Sequence, residues 1–237
     1  MGSAADRLIV ALDSRDLPEA VKVARRLRGL IRCVKIGSAL FTAAGPVAIQ
    51  RMRALGLDVM LDLKFHDIPS TVEKSCRAAV HHRVAMLTVH ASGERRMLEA
   101  AVAGVKHESA RLRIAPPRVI GVTVLTSVNS SSQRLLRDRA VKLAIHARHV
   151  GLDGVVASAW EAAAIRRRVG KQFVIICPGI RLLGVQASDQ KRIASPQEAI
   201  ARGADFLVVG RPVTEAKDPR RMVQRILTEM EAQRERC

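Results

Sequence analysis

The sequence predicts an α/β protein that folds as a (β/α)8 TIM barrel, with residues 1–237 forming a single domain. Short runs rich in β-branched residues alternate with helical stretches along the chain. Eight such units average about 30 residues each, the usual length of a βα repeat. No Gly-x-Gly-x-x-Gly or P-loop segment follows a predicted strand, so an open doubly wound sheet has less support. Eight alternating units therefore favour a closed parallel barrel.

The predicted strands are short and mostly apolar throughout. Continuous apolar runs are typical of parallel strands that are covered on both faces. The strands are expected at residues 8–13, 33–37, 58–64, 86–90, 118–125, 154–158, 173–178 and 206–210.

Helix-start signals lie between these runs. Asp16 stands three residues before Glu19, as in a capped first turn. Ser195, Pro196 and Glu198 supply an N-cap, an N1 proline and an N3 acid in the right order. Both segments are therefore expected to begin helices that return the chain to the next strand.

The hydrophobic pattern argues against a membrane protein. No apolar run approaches the roughly 20 residues that a bilayer-spanning helix needs. The first residues, 1–6, lack the basic and apolar regions of a signal peptide and lead directly into a strand. We therefore expect a soluble, cytoplasmic protein that does not bind membranes.

The cysteines and histidines give no metal or disulfide pattern. No two cysteines form a Cys-x-x-Cys pair, and Cys33, Cys76 and Cys177 lie in apolar patterns typical of buried thiols. His146 and His149 are three residues apart on a predicted helix, but no acid or cysteine accompanies them. The sequence therefore predicts no metal site.

The charge is strongly basic, with 40 Lys and Arg against 22 Asp and Glu, a net charge of +18. Such a balance is common in nucleic-acid-binding proteins. Aromatic residues are only 2% of the chain and tyrosine is absent, so bases would find no stacking platform. The basic clusters at 25–28 and 166–168 are expected to face solvent. We predict a solvated basic surface that attracts an anionic substrate and binds no nucleic acid.

One predicted strand ends in charge. Asp62 and Lys64 are two residues apart, so both should point to one face of the strand while Leu61 and Leu63 point to the other. Asp67 adds an acid just beyond. A buried ion pair that fills the barrel is the structural alternative, but such pairs contribute little net stability. The mouth at the carboxyl ends of barrel strands is where substrates bind, which favours a catalytic role.

Two further charges have the same setting. Lys35 interrupts the apolar second strand, and Asp13 ends the first. Together with Asp62 and Lys64 they place alternating charges at the ends of three consecutive strands. This pattern is typical of a preorganised electrostatic site.

The segment at 62–71, Asp-Leu-Lys-Phe-His-Asp-Ile-Pro-Ser-Thr, resembles the signature of the orotidine 5'-phosphate decarboxylase family. Shorter matches follow in the family's order at 10–13, 34–37, 122–127, 178–181, 189–190 and 209–214. The later matches resemble the bacterial branch. One departure is the segment 128–132, which is shorter than the resemblance leads us to expect.

The resemblance implies a cofactor-free enzyme of de novo pyrimidine biosynthesis that converts orotidine 5'-phosphate to uridine 5'-phosphate and CO2. Lys64 would stabilise the carbanion-like carbon and supply its new proton. Asp62 would lie beside the substrate carboxylate. Lys35 and Asp67 would complete the charged array as catalytic residues.

The resemblance also implies the substrate contacts and a homodimer. Asp67, Ile68 and Thr71 would reach into the partner subunit's site. The remaining substrate-binding residues would be Asp13, Lys35 and Asp62 near the ribose and pyrimidine, Thr126 at the pyrimidine, and Arg181, Gln190, Gly210 and Arg211 at the phosphate. A phosphate site after strand eight is also common in TIM barrels in general. The stretch 181–195 has the length of a lid over that phosphate.

Two alternatives stay open from the sequence. A sister barrel acting on sugar phosphates, such as a 3-keto-gulonate 6-phosphate decarboxylase or hexulose-phosphate synthase, has a similar segment but holds magnesium partly through an acid on strand two. Lys35 stands there in this chain. The other alternative is a basic barrel that binds phosphate ligands or nucleic acid without turnover. His66 and His90 are expected to be structural.

Overall fold

The barrel predicted from the sequence is confirmed. A computed structural model of the chain describes residues 3–125, 132–182 and 193–232. Eight parallel strands close in sequence order, each pairing with the next and the last with the first. The closing contact pairs Val10 with Val209. All eight carboxyl ends therefore meet at one mouth of the barrel.

The strands are β1 Leu8–Ala11, β2 Cys33–Gly37, β3 Asp58–Phe65, β4 Met86–His90, β5 Arg118–Val122, β6 Gly154–Val156, β7 Val174–Cys177 and β8 Phe206–Val209. The helices of the described residues are α1 Ala4–Arg7, α2 Leu17–Leu27, α3 Ser38–Ala44, α4 Val47–Ala54, α5 Pro69–His81, α6 Arg95–Leu112, α7 Gln133–His149, α8 Ala159–Val169, α9 Pro196–Ala201, α10 Arg211–Thr214 and α11 Pro219–Glu231.

Five strands, β1, β5, β6, β7 and β8, end earlier than the sequence predicted. β1 stops at Ala11, before Asp13, and β5 stops at Val122. β3 runs one residue further than predicted, to Phe65. An apolar run does not mark where the hydrogen-bonded ladder ends, because apolar residues beyond the ladder, such as Leu12 and Val124, can stay buried.

The predicted helix starts are confirmed. The Asp16 side chain accepts a hydrogen bond from the Glu19 amide at the start of α2. Ser195 and Glu198 form a reciprocal capping box at the start of α9. These caps fix where the chain turns away from the mouth.

An apolar layer fills the inside of the barrel. It consists of Ile9, Ala11, Cys33, Met60, Met86, Ile120, Ile176 and Val208. A separate, larger core lies between the strands and the surrounding helices. Because apolar side chains fill the barrel, the charged residues of β2 and β3 lie above this layer. The alternative of a buried ion pair that fills the barrel interior is therefore wrong.

The three described cysteines, Cys33, Cys76 and Cys177, are free and buried, as predicted.

Among the helices that the structure describes, none combines the length and apolar character needed to cross a bilayer.

The prediction for the basic cluster at 166–168 was wrong for Arg166. Its side chain is only 18% exposed. The guanidinium pairs with the Asp205 carboxylate and donates to the Phe173 carbonyl oxygen at 2.7 Å. Asp205 in turn accepts from the Ile175 amide at 2.8 Å. Arg166 therefore ties α8 to the amino ends of β7 and β8, and only the two arginines that follow it are exposed.

A carboxylate ties α5 to α6. Glu108 accepts hydrogen bonds from Arg77 Nε at 3.0 Å and Arg111 Nη2 at 2.7 Å, and His81 Nε2 lies 2.7 Å away. The Glu108 side chain is only 2% exposed because these partners cover it, although it lies near the protein surface. Hydrogen bonding from Arg111, and then from Arg77, lowers the pKa of Glu108 to about 2 against the opposing effect of burial.

We expect Glu108→Gln to lower the melting temperature at neutral pH. The folded-state pKa is below the ordinary value of 4.5, so the carboxylate stabilises the fold above that value. This contribution is lost as pH falls towards about 2. The difference in melting temperature from wild type should therefore narrow as the pH falls from the ordinary pKa of 4.5 towards the folded-state value of about 2. Thermal unfolding by circular dichroism across that range measures it.

Glu99→Gln is the matched control on the same helix. Glu99 forms an exposed pair with Arg95 at 2.7 Å, the kind of surface contact that contributes little. If both substitutions changed the melting temperature equally and independently of pH, the Glu108 carboxylate would contribute no more to stability than an exposed surface pair.

Candidate active site

A cavity of about 580 Å³ opens at the carboxyl ends of the strands. Its walls include residues from β1, β2, β3, β5, β6 and β8. Ala11, Met60 and Val208 belong both to its lining and to the apolar layer inside the barrel. The cavity thus has an apolar floor, above which polar side chains converge, as is usual for small-molecule sites.

Four charged side chains form a continuous chain of ion pairs in this cavity. Lys35 Nζ lies 2.9 Å from Asp13 Oδ1 and 3.3 Å from Asp62 Oδ2. Lys64 Nζ lies 2.8 Å from the same Asp62 oxygen. The order is therefore Asp13, Lys35, Asp62, Lys64, with alternating sign. The structure brings together all four charges that the sequence assigned to one site.

Strand alternation accounts for which side chains enter the cavity. Met60, Asp62 and Lys64 line it, whereas Leu61 and Leu63 pack into the outer core, as the spacing predicted. Lys35 follows the same rule on β2, two residues after the inward-facing Cys33.

Glycine at position 37 leaves room for the first ion pair. A β-carbon there would lie 3.0 Å from Asp13 Oδ1 and 3.1 Å from Lys35 Nζ. A side chain at this position would press on both charged groups. The small residue thus permits the contact between β1 and β2.

Thr88 holds Lys64 in an unusual backbone conformation. Lys64 has a φ of 53°, in the left-handed region, and the register between β3 and β4 shifts between Leu61 and Phe65. The Lys64 amide donates to Thr88 Oγ1 at 2.9 Å, and that hydroxyl donates to Asp62 Oδ1 at 3.0 Å. Thr88 is fully buried. One hydroxyl therefore fixes both the backbone of the lysine and the carboxylate beside it.

The sequence prediction missed Thr88. The only available signal is its position as the single hydroxyl residue in the apolar run of β4. Buried hydroxyl groups almost always have a hydrogen-bond partner, so such a residue indicates a polar contact without naming it.

Both inner members of the array are charged. Burial would raise the pKa of Asp62, but the ammonium groups of Lys35 and Lys64 outweigh it and lower that pKa. Burial would likewise lower the pKa of Lys35, but Asp62 and Asp13 outweigh it and raise that pKa. The Asp62 side chain is 10% exposed and that of Lys64 is 34% exposed. Asp62 is thus a fixed carboxylate, and Lys64 is the ammonium that faces the open cavity.

Two arginines line another part of the same cavity. Arg181 follows β7 and is 8% exposed, with Nη1 donating to the Ile180 carbonyl oxygen at 2.9 Å. Arg211 follows Gly210 at the end of β8. Burial, and then the charge of Arg211, lower the pKa of Arg181, while Glu215 opposes them. Two guanidinium groups in one cavity suit a dianion such as phosphate.

Asp67, Ile68 and Thr71 do not line this chain's cavity. All three are exposed at the start of α5, and Ile68 is 64% exposed. Asp67 Oδ1 accepts a hydrogen bond from the Ile68 amide at 2.6 Å.

Two predicted substrate contacts, Thr126 and Gln190, lie outside the described residues, as do residues 183–192 of the predicted lid and most of the short segment 128–132.

The rings of His66 and His90 lie 5.3 Å apart. Burial, and then the charges of His66 and Lys64, lower the pKa of His90. In the described part of the chain, no three His, Cys, Asp or Glu side chains are arranged to hold a metal ion.

Comparisons with known proteins agree with the sequence resemblance. A model of the Orotidine 5'-phosphate decarboxylase / HUMPS family matches residues 6–226. Proteins named orotidine 5'-phosphate decarboxylase include one from Moorella thermoacetica, 44% identical over 96% of this chain and 93% of that protein. Another, from Syntrophotalea carbinolica, is 46% identical over 95% of both.

Solved structures give the same result. The crystal structure of orotidine 5'-phosphate decarboxylase from Lactobacillus acidophilus has a TM-score of 0.82 and 31% identity, covering 95% of this chain and 99% of that chain. An uncharacterized conserved protein from Geobacillus kaustophilus has a TM-score of 0.81 and 34% identity, covering 94% and 99%. The chain therefore belongs to the Orotidine 5'-phosphate decarboxylase / HUMPS family.

Proposed function

We propose that the protein is an orotidine 5'-phosphate decarboxylase, which forms uridine 5'-phosphate and CO2 in de novo pyrimidine biosynthesis without a metal or organic cofactor. The observation that carries the proposal is the Asp13–Lys35–Asp62–Lys64 array, in the same cavity as Arg181 and Arg211. The array suits a reacting carbon that becomes negative, and the arginines suit the substrate's phosphate.

The reaction breaks the bond between the pyrimidine ring and its carboxylate. CO2 leaves and the electron pair stays on the ring carbon, which Lys64 stabilises by charge and then protonates. Asp62, held by Lys35 and Thr88, lies beside the leaving carboxylate. Solvent returns a proton to the Lys64 amine. Asp13 contacts the ribose.

We further propose a homodimer with shared sites. Asp67, Ile68 and Thr71 serve the partner subunit's cavity, where Asp67 completes the alternating charges. Their exposure at the start of α5 and their absence from this chain's own cavity support that role. Thr126 contacts the pyrimidine, and Gln190 and Gly210 join the two arginines at the phosphate.

The sugar-phosphate alternative has less support in the geometry. Its magnesium ion would need an acid at the position of Lys35. In this protein the Lys35 ammonium sits between Asp13 and Asp62 and already supplies a positive charge there. A second cation would be repelled.

We also propose that residues 1–237 form one barrel domain in the cytoplasm, with no membrane or nucleic-acid partner. Free buried thiols suit a reducing compartment.

The test is direct. Purified protein treated with a chelator is mixed with orotidine 5'-phosphate, and the loss of orotate absorbance and formation of uridine 5'-phosphate are followed. Turnover that is insensitive to chelator is expected. A preparation of the Lys64→Ala protein controls for contaminating host enzyme. Absence of turnover by folded wild-type protein would reject the proposal.

Arg211→Ala is expected to lower kcat/KM for orotidine 5'-phosphate by about a hundredfold, corresponding to roughly 3 kcal/mol for a charge-assisted contact. Binding energy from the phosphate helps organise the distant reacting groups, so kcat should fall as well as affinity. The same variant should lose far less activity on orotidine, which lacks the phosphate. If kcat/KM fell by the same factor on both substrates, Arg211 would act through the fold or through the overall electrostatic field of the protein, not through the phosphate.

A further inference from the structure

Trp160, the only tryptophan of the chain, contacts Ile193 and Arg202, both outside its own helix. It lies at the start of α8 and is 45% exposed. Its indole Nε1 donates to the Ile193 carbonyl oxygen at 3.1 Å. The Arg202 guanidinium lies over the ring, 4.2 Å from its centroid. An exposed ring held from two sides this way has a fixed orientation.

The residue after Ile193 is attached to the backbone around Arg181. Ala194 forms an isolated parallel bridge with Ile180. The Arg181 amide donates to the Ala194 carbonyl oxygen at 3.0 Å, and the Ala194 amide donates to the Gly179 carbonyl oxygen at 3.2 Å. The backbone from Gly179 to the Arg181 amide is therefore tied to Ala194, one residue from the carbonyl that Trp160 holds.

The Arg181 side chain lies in an unfavourable environment for a cation. Arg181 is 8% exposed and lies near a second cation, Arg211. Burial beside a like charge disfavours a guanidinium until an anion arrives. Without ligand, the position of Arg181 depends on its backbone, together with the hydrogen bond from its Nη1 to the Ile180 carbonyl oxygen and the charge of Glu215. The short bridge of Ala194 fixes that backbone.

We propose that Trp160 is a positioning residue for the phosphate end of the cavity. It acts through Ile193 and Ala194 on the backbone of Arg181, and Arg202 holds its ring. This inference rests on the proposed function for the identity of the substrate phosphate. It assigns a role to a residue that lines no part of the cavity.

The main variant is Trp160→Phe, which keeps a ring beneath Arg202 and removes the N–H donor. Losing one hydrogen bond should lower kcat/KM for orotidine 5'-phosphate about fivefold. Turnover of orotidine, which lacks the phosphate, should change less than twofold. Affinity for inorganic phosphate, measured by calorimetry, should fall by about the same factor as kcat/KM.

Arg202→Met is a second variant, which removes the cation above the ring and keeps the indole. Arg167→Met is its matched control: Arg167 is exposed on α8, and the substitution removes the same charge. Only the Arg202 variant should repeat the phosphate-dependent loss. This variant also keeps the inference testable if the Trp160 variant does not fold.

A coupling experiment separates positioning from general stability. In an Arg181→Ala background, Trp160→Phe should have no further effect on phosphate affinity, because the residue through which it acts is gone. Equal losses on both substrates, or full additivity with Arg181→Ala, would overturn the inference. If wild type does not decarboxylate orotidine 5'-phosphate, the proposed function fails. The calorimetric comparison with inorganic phosphate still decides the role of Trp160.

Discussion

Replacing Lys64 by alanine is expected to lower kcat/KM for orotidine 5'-phosphate by roughly 10⁴-fold or more, because in the proposed mechanism Lys64 supplies both the proton and the stabilising charge. The fold should survive. Asp62 keeps its ion pair with Lys35 at 3.3 Å and its hydrogen bond from Thr88, so its carboxylate is not left without partners.

The rate is measured by loss of orotate absorbance, and the fold by circular dichroism and melting temperature. Lys171→Ala, which removes an exposed lysine beyond the end of α8, is the control for loss of one positive charge. Near-normal turnover by a folded Lys64→Ala protein would end the proposed mechanism.

Asp67→Asn is expected to be almost as damaging, and its loss should be recoverable by mixing subunits. A hybrid dimer of Asp67→Asn and Lys64→Ala subunits has one site with an intact Lys64 and an intact partner carboxylate. Random exchange gives half hybrids with one good site each, so about a quarter of wild-type activity per subunit should return.

The control is a mixture of Asp62→Asn and Lys64→Ala proteins. Both residues belong to the same chain's cavity, where they are 2.8 Å apart, so no hybrid has a complete site. Subunit exchange is followed with two affinity tags. If exchange occurs and the Asp67→Asn mixture stays inactive, Asp67 and Lys64 belong to one subunit's site.

The sequence predicted the parts of this site that depend on strand periodicity. Asp62 and Lys64 share a face because they are two residues apart, and Lys35 joins them because parallel barrel strands end at one mouth. The alternating charges of the array were therefore predictable before any distances were known.

Contacts that depend on register were not predictable. Thr88 meets Lys64 only because β3 and β4 shift relative to one another at the left-handed residue. The contact between Trp160 and Ile193 joins residues 33 apart. Periodicity of a single segment carries no information about such pairs.

The error at Arg166 has a similar cause. The helical pattern marks it as exposed, yet its long side chain reaches Asp205, 39 residues away, at the amino end of β8. A flexible, charged side chain can be buried by a distant partner that the local sequence does not reveal.

A crystal structure of the Lys64→Ala protein with orotidine 5'-phosphate bound would show the proposed contacts themselves. We expect the substrate carboxylate to point into the space left by Lys64, beside Asp62, with the phosphate held by Arg181 and Arg211. Asp67 of the partner subunit should enter the same cavity. A carboxylate directed away from Asp62, or a cavity without the partner's Asp67, would contradict the proposed mechanism.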